Sequence, residues 1–458
     1  MQILINIALV VIGVLLFEFI IFAHEFGHFI TAKKSGVQVN EFALGMGPKL
    51  FGFTRGETTY SLRLFPIGGY CAMEGENEDS ENPRAFNNAK VWKRMIIIVA
   101  GAFMNFVVGL LLMLVITLNT PVFYEPVVTG FTPVSFTATT GLEEGDKILN
   151  VGGYSVGNIR DLEMGIQLLP CEKVDGASLE VAKEDCCWDL KSVIEQMLSD
   201  KQIDYPTAQK LLEEVLGAES VKIRQAQSSQ EVEELYRATV DEFYETAQVE
   251  KPKDFKYPTF EKPEERMRYR GDVKVLREGK KVTLKDVHFF TYGTQNGNKA
   301  VAFDFFVQTK DKNFVTVTQE TFSGTVSMGK VVWKSLELLV TERFHLSDMS
   351  GPVGITVAVS DVASAGLKTG FGDAVLNIIF FMALITVNLG IVNMLPFPAL
   401  DGGRFVLLLF EAIFRRHIPR KVEYIINAIG LALLILMIIY ISGNDIKKLI
   451  TGTFPTME

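Results

Sequence analysis

His24-Glu25-Phe26-Gly27-His28 sets two histidines four residues apart with a glutamate beside the first. On a helix, side chains at this spacing lie one turn apart on one face, where two imidazoles can hold a single Zn²⁺. Glu25 then falls beside the water that such an ion activates, placed to accept its proton. The alternative is two incidental histidines on a helix. Burying two imidazoles and a carboxylate at the edge of an apolar run is costly, which argues against it.

A catalytic zinc site takes a third protein ligand. Three further histidines are present, His288, His345 and His417, and which side chain can reach the pair depends on the surrounding elements. The sequence holds 458 residues and is 48% hydrophobic with 22% charged residues, so its apolar residues are concentrated in blocks. Spanning hydrocarbon takes about 20 of them. Ile3 to about Ala23, Met95 to Leu118 and Ile425 to Ile441 meet that length. So does Ala374 to Leu395, although it carries Asn377, Thr386, Asn388 and Asn393. Polar groups in a membrane helix face other protein. The expected fold class is a polytopic α-helical membrane protein with four transmembrane helices. The first run lacks a preceding Lys or Arg and a following small-residue cleavage site, so it reads as an anchor rather than a removable leader.

Lys and Arg in short loops set orientation. Lys33, Lys34, Lys49, Arg55, Arg63, Arg84, Lys90, Lys93 and Arg94 lie between the first two helices. Arg404, Arg415, Arg416, Arg420 and Lys421 lie between the last two. Both loops are expected on the cytoplasmic side, against the weaker pull of Lys447 and Lys448. The N-terminus and residues 119–373 are then outside, with His24 and His28 near the cytoplasmic face. His288 and His345 fall on the wrong side, and Asp373 at the wrong end of the third helix. That helix ends inward at Asn393-Met-Leu-Pro-Phe-Pro-Ala-Leu-Asp401-Gly-Gly. Pro396 and Pro398 break it there, and Gly402 and Gly403 permit tight turns, so Asp401 arrives at the right depth on irregular backbone. His417 is the second candidate. Glu18, seven residues before Glu25 on a similar helix face, either points toward the same chamber or is hydrogen-bonded within the bundle.

The outer segment reads as α+β. Gly141-Leu-Glu-Glu-Gly-Asp-Lys-Ile-Leu-Asn-Val-Gly-Gly and the alternating Val273–Leu284, turning at Glu278-Gly279, suggest strands and a hairpin. Residues 171–270 between them are acidic and partly helical. Pro206 opens and Gly217 closes one expected helix there. Cys71, Cys171, Cys186 and Cys187 do not form a disulfide framework. One bridge from Cys171 to the adjacent pair and unpaired thiols both remain open.

Taken together, these residues resemble the site-2 protease family, in its bacterial branch of regulator-of-sigma-factor proteases. The matching pieces are His24–His28, Phe65-Pro-Ile-Gly-Gly-Tyr70, Asn105, Ser350-Gly-Pro-Val-Gly-Ile355 and Asn393–Gly403, within residues 1–170 and 271–450. The resemblance implies an intramembrane zinc protease in a bacterial plasma membrane. It implies one catalytic Zn²⁺ held by His24, His28 and Asp401, with Glu25 as the base and Asn393 holding the substrate backbone. It also implies a membrane-dipping hairpin around Gly45-Met-Gly47 and Thr58–Leu64. By its own pattern, Glu57–Leu64 alternates as a strand whose open edge could pair with an unwound substrate. The outer glycine-rich stretch and hairpin resemble one PDZ domain. The expected layout is a membrane core at 1–118 and 374–458, a PDZ-like domain at 126–310 interrupted at 171–270, and an amphipathic connector at 311–373. Ala102 stands where relatives carry Pro, and the insertion weakens the expectation of peptide binding.

The expected partners are single-pass membrane-protein substrates and the lipid bilayer. The net charge of −9, without a basic tail, argues against nucleic acid. A non-catalytic scaffold would not need Glu25, and a transporter would usually show an internal repeat that is missing here.

Overall fold

The first helix does not stop where its apolar run ends. It continues from Gln2 to Ser35, because lipid length limits only the apolar stretch, not the backbone ladder. The computed structural model describes residues 2–76, 80–131, 135–174, 179–199, 202–252, 255, 257, 266–293, 299–301, 303–341, 351, 354, 357, 366, 370–416 and 420–451. They form two compact units, residues 1–121 with 312–458, and residues 122–311.

In the first unit four described helices are long and apolar enough to cross a membrane. They are Gln2–Ser35, Val91–Asn119, Phe371–Asn393 and Arg420–Thr451. Small residues let the first three approach closely. A Cβ at Gly27 would sit 2.3 Å from the Ala100 carbonyl, and one at Gly109 would sit 2.7 Å from a Val387 methyl. Ile20, Ala23, Val108, Ala374, Ile378 and Met382 fill the space between them. The fourth helix is mostly exposed, and polar side chains tie it to its neighbours. Asn427 Oδ1 accepts from the Ala399 amide at 3.3 Å, and Asp445 accepts from the amides of Gly351 and Gly354 at 2.8 and 2.9 Å.

The first two helices are joined by an antiparallel hairpin, β1 (Val39–Arg55) and β2 (Thr58–Met73), turning at Gly56 with φ +65°. Its pairing shifts repeatedly between Val39 and Phe51, and Thr59–Leu62 is paired on both sides, to Glu41–Leu44 and to Phe51–Thr54, so the open edge expected on Glu57–Leu64 is occupied there. Met46, Leu50, Phe51, Phe53, Leu62, Leu64 and Phe65 project from it exposed. A helix at Phe314–Val340, capped by Asn313, packs on the second and third membrane helices.

The second unit carries β3 (Phe123–Phe131), β4 (Lys147–Val151), β5 (Tyr154–Ser155), β6 (Cys171–Val174), β7 (Arg266–Arg277), β8 (Lys280–Gly293), β9 (Lys299–Val301) and β10 (Phe305–Lys310). The sheet order is β10-β3-β4-β7-β8-β9, with β5 on β4 and β6 on β7. The turn between β7 and β8 uses Glu278 at φ +48° and Gly279 at φ +76°, the left-handed pair that a tight hairpin requires. Helix Ile159–Gln167 buries Leu162 and Ile166 against the sheet.

The chain leaves this sheet through β6 and returns through β7, and the two pair from Cys171↔Tyr269 to Val174↔Arg266. Between them a separate helical core packs Leu190, Ile194, Leu211, Val232, Tyr236 and Phe243. Gly217 does not end a helix, contrary to the sequence expectation. It opens helix Gly217–Gln225 directly after a π-helical turn at Leu211–Leu216. A Cβ at Gly217 would meet nothing within 4 Å, so no steric demand breaks the chain there. No disulfide joins the four cysteines, and Cys186 and Cys187 are buried on one helix while Cys171 is exposed.

Candidate metal centre

His24 and His28 sit on the first helix, 7% and 8% exposed. The second helix crosses them at Gly101, where a Cβ would lie 2.2 Å from His28 Nε2 and 2.9 Å from His24 Cε1. Only glycine admits both rings at that crossing. Their Nε2 atoms lie 3.2 Å apart. Asp401 Oδ2 lies 3.2 Å from His24 Nε2 and 3.3 Å from His28 Nε2. Ligand atoms about 2.0–2.1 Å from a tetrahedral zinc ion are separated by about 3.3 Å. The near-equilateral triangle therefore has the dimensions of one face of a zinc tetrahedron. Asp401 Oδ2 is buried without a hydrogen bond, although it faces both imidazoles. This donor set fits the ion chemically as well as in size. Among the described residues His24, His28 and Asp401 form the one His, Cys or carboxylate group that could hold a metal.

Asp401 is delivered by a short break between helices. The third helix ends at Asn393, Ala399 takes a left-handed φ of +73°, and a new helix begins at Asp401. Gly402 and Gly403 lie inside that new helix rather than in a turn, which corrects the sequence expectation. Cβ atoms there would lie 2.2 Å from the Leu395 carbonyl and 2.3 Å from the Phe397 carbonyl. Close backbone approach, not turning, is what requires glycine at these two positions. Burial opposes ionisation of Asp401, but the two imidazoles that face it, His24 and His28, hold its carboxyl below the usual range.

Glu25 lies within electrostatic reach of His28, His24, Asp401 and Glu76. Strand β2 passes directly over it, since a Cβ at Gly69 would touch Glu25 Cγ at 3.7 Å and Ile21 Cγ2 at 3.9 Å. Asn393 Nδ2 lies 3.5 Å from His24 Nε2, at the outer limit of a hydrogen bond. Gly45 and Gly47 are on β1 at φ +82° and +85°, where Cβ atoms would strike the Phe65 carbonyl and ring. No described contact joins them to the His–Asp cluster. Glu18 is 8% exposed, and among the described residues it closes no hydrogen bond within the bundle, contrary to one of the two expectations. Its carboxylate faces the amides of Gly45 and Gly68 without closing a hydrogen bond to either. His417 and His345 fall outside the described residues. His288 is in the second unit, 3.4 Å from Asp286.

Several neighbours were not singled out from sequence for this role. His28 Nδ1 lies 2.8 Å from the Ile97 carbonyl, and Asn105 Nδ2 lies 3.1 Å from His24 Nδ1. Arg404 pairs with Glu76, and the buried Arg94 pairs with Glu411 at 2.5 Å. These charges line a polar cavity of about 270 Å³ behind the Asp401 helix. The available signal is one asparagine, Asn105, within an apolar run, and two arginines, Arg94 and Arg404, that in sequence are indistinguishable from ordinary loop charge.

Comparison with known proteins gives a consistent picture. The profile described as Peptidase family M50 matches residues 12–437. The regulator of sigma-W protease RasP of Bacillus subtilis is 28% identical, covering 96% of this chain and 98% of its own length. A protein of Clostridium perfringens described as a candidate zinc metalloprotease is also 28% identical, over 95% of this chain and 98% of its own. The zinc metalloprotease RasP of Shouchella clausii is 24% identical, over 95% and 97%.

Proposed function

The chain belongs to peptidase family M50, the site-2 proteases, and from that premise we propose that it cuts single-pass membrane proteins inside their transmembrane segments. It is a membrane-embedded zinc metalloprotease. The observation that carries the proposed site is the convergence of His24 Nε2, His28 Nε2 and Asp401 Oδ2 at 3.2–3.3 Å, the separation expected of three zinc ligands.

In this reading His24, His28 and Asp401 hold the ion. When bound, zinc lowers the pKa of a water and polarises the scissile carbonyl. Glu25, beside the ligand face, takes the proton of the attacking water and returns it to the leaving amine. Asn393, whose amide borders the same face, holds the substrate backbone. A membrane helix hides its peptide bonds in its own hydrogen-bond ladder, so the substrate must unwind first. The β1–β2 hairpin supplies an edge for the unwound strand, with Gly45 and Gly47 lining it. Its exposed Leu50, Phe51, Phe53 and Leu62 suit a hydrocarbon environment.

The Lys/Arg asymmetry of the loops supports the proposed orientation in a bacterial plasma membrane. The active site lies near the cytoplasmic side, with the N-terminus and the second unit outside. We assign residues 126–310 to a PDZ-like domain interrupted at about 171–270, and residues 311–373 to an amphipathic connector. The membrane core comprises 1–118 and 374–458. The Bacillus subtilis relative is named a regulator of sigma-W protease, so a single-pass anti-sigma factor is the first substrate class to test, and signal-peptide remnants the second. The test is co-expression of such proteins with the parent enzyme or with Asp401→Ala. Cleavage within the transmembrane segment by the parent alone is expected. Equal cleavage by both would overturn the reading.

A further inference from the structure

A histidine that ligates a metal through Nε2 must leave that nitrogen unprotonated. Its Nδ1 then carries the proton and needs an acceptor, and such outer partners fix ring orientation and metal affinity. His28 meets this requirement, because its Nδ1 lies 2.8 Å from the Ile97 carbonyl oxygen, which can only accept. His24 presents the opposite pattern. Its Nδ1 lies 3.1 Å from Nδ2 of Asn105, an amide nitrogen that can only donate. With that donor in place the proton of neutral His24 would sit on Nε2, aimed into the triangle shared with His28 and Asp401. The acceptor of the same amide, Asn105 Oδ1, is buried and unpaired.

The two atoms of an amide occupy interchangeable positions, and a half-turn about the last side-chain bond brings Oδ1 to the imidazole. Asn105 itself is 0% exposed, so bulk water cannot supply the acceptor in its place. Its surroundings fix it. Thr386 Oγ1 donates to the Asn105 backbone carbonyl at 3.2 Å, which anchors the main chain there, and a Cβ at Gly390 would lie 3.3 Å from Asn105 Cβ. The side chain is held against the third helix on one side and His24 on the other.

Building on the zinc-site reading above, we propose that Asn105 is the positioning residue for His24. Its carbonyl oxygen accepts the Nδ1 proton and so directs the Nε2 lone pair at zinc. Asn105 touches neither substrate nor metal, so its effect is read first in metal affinity.

The test uses the full chain in detergent. Zinc affinity is measured by chelator competition, beside the melting temperature of the chelated protein. Asn105→Leu keeps the shape and removes the acceptor, and zinc should bind about 10- to 100-fold more weakly. The chelated protein should melt close to the parent, which separates positioning from a merely structural role. Asn105→Asp keeps an acceptor oxygen and should hold zinc at least as tightly as the parent. Parental affinity in Asn105→Leu would overturn the proposal. So would a loss in Asn105→Asp as large as in Asn105→Leu, since the amide nitrogen would then be the working group. If only Asn105→Leu fails to fold, Asn105→Asp decides. Failure of both to fold would assign Asn105 a structural role and overturn the proposal. A parent without zinc would instead sink the metal-centre reading itself.

Discussion

Gly101→Ala should dismantle the metal centre by adding one methyl group. In the interior of a helix, alanine is favoured over glycine by about 1 kcal/mol, so on propensity alone the change should stabilise. The new Cβ would lie 2.2 Å from His28 Nε2, 2.6 Å from His28 Cε1 and 2.9 Å from His24 Cε1. Ordinary contact starts near 3.5 Å, so the overlap with the His28 ring exceeds about 1 Å. That ring has little freedom to retreat, because Nδ1 is tied to the Ile97 carbonyl at 2.8 Å. Overpacking of this kind costs about 1–3 kcal/mol and outweighs the propensity gain. The larger effect is on geometry, since a displacement of about 1 Å at a reacting centre costs about 100-fold in rate. Zinc content and cleavage of a model transmembrane substrate would be measured on one preparation, with Gly109→Ala as the contrast. The Cβ of Gly109→Ala meets a Val387 methyl at 2.7 Å, away from the ligands. It should lower the melting temperature yet retain zinc. Parental zinc affinity and rate in Gly101→Ala would refute the claim that this crossing holds the rings.

Two further outcomes follow from ion pairs. Arg94 and Glu411 are buried partners at 2.5 Å, so Arg94→Leu takes the cation away from a buried carboxylate and should cost about 3–5 kcal/mol in equilibrium unfolding, whereas adding Glu411→Leu should recover most of the loss. A double variant no better than the single would show that the pair is not coupled. Glu57, held by Arg84 and Lys33, has its carboxyl pulled down to about 2 from 4.5. A carboxyl depressed in the folded state contributes stability that is complete above about pH 4.5 and is lost as pH falls toward 2. The difference in melting temperature between parent and Glu57→Gln should therefore shrink with acidification across that window, and a difference that widened would contradict the assignment.

The residues that declared themselves in sequence are those whose chemistry depends on local spacing. His24 and His28 needed only the helical repeat, and the apolar runs needed only their length. Asp401 required a second argument, from membrane depth, because its partners are more than 370 residues away. What the sequence could not reveal was which backbone comes close to which. Gly402 and Gly403 look like turn residues until the Leu395 and Phe397 carbonyls are seen against them. Gly101 is one small residue among many until two imidazoles are placed over it. Glu18 carries no sign of facing Gly45 and Gly68, since those glycines reach it only through the hairpin. Gly217 misled in the opposite direction, because a glycine with open space around it leaves a helix free to continue. The helical core within residues 179–247 was hidden for a related reason. Helix Ser229–Ala247 does carry a periodic buried face at Val232, Tyr236, Val240 and Phe243, but its partners Leu190, Ile194 and Leu211 lie on helices far away in sequence, and nothing local names them.

The central claim is that Glu25 acts on water beside zinc rather than as a ligand. The most direct measurement is cleavage of a model transmembrane substrate by purified Glu25→Gln, with zinc determined on the same preparation. Glutamine keeps the size and loses the basicity. Glu25→Gln should hold about one zinc per chain, as in the parent, and cleave about 10²- to 10⁴-fold more slowly. Cleavage near the parental rate with zinc bound would contradict the claim.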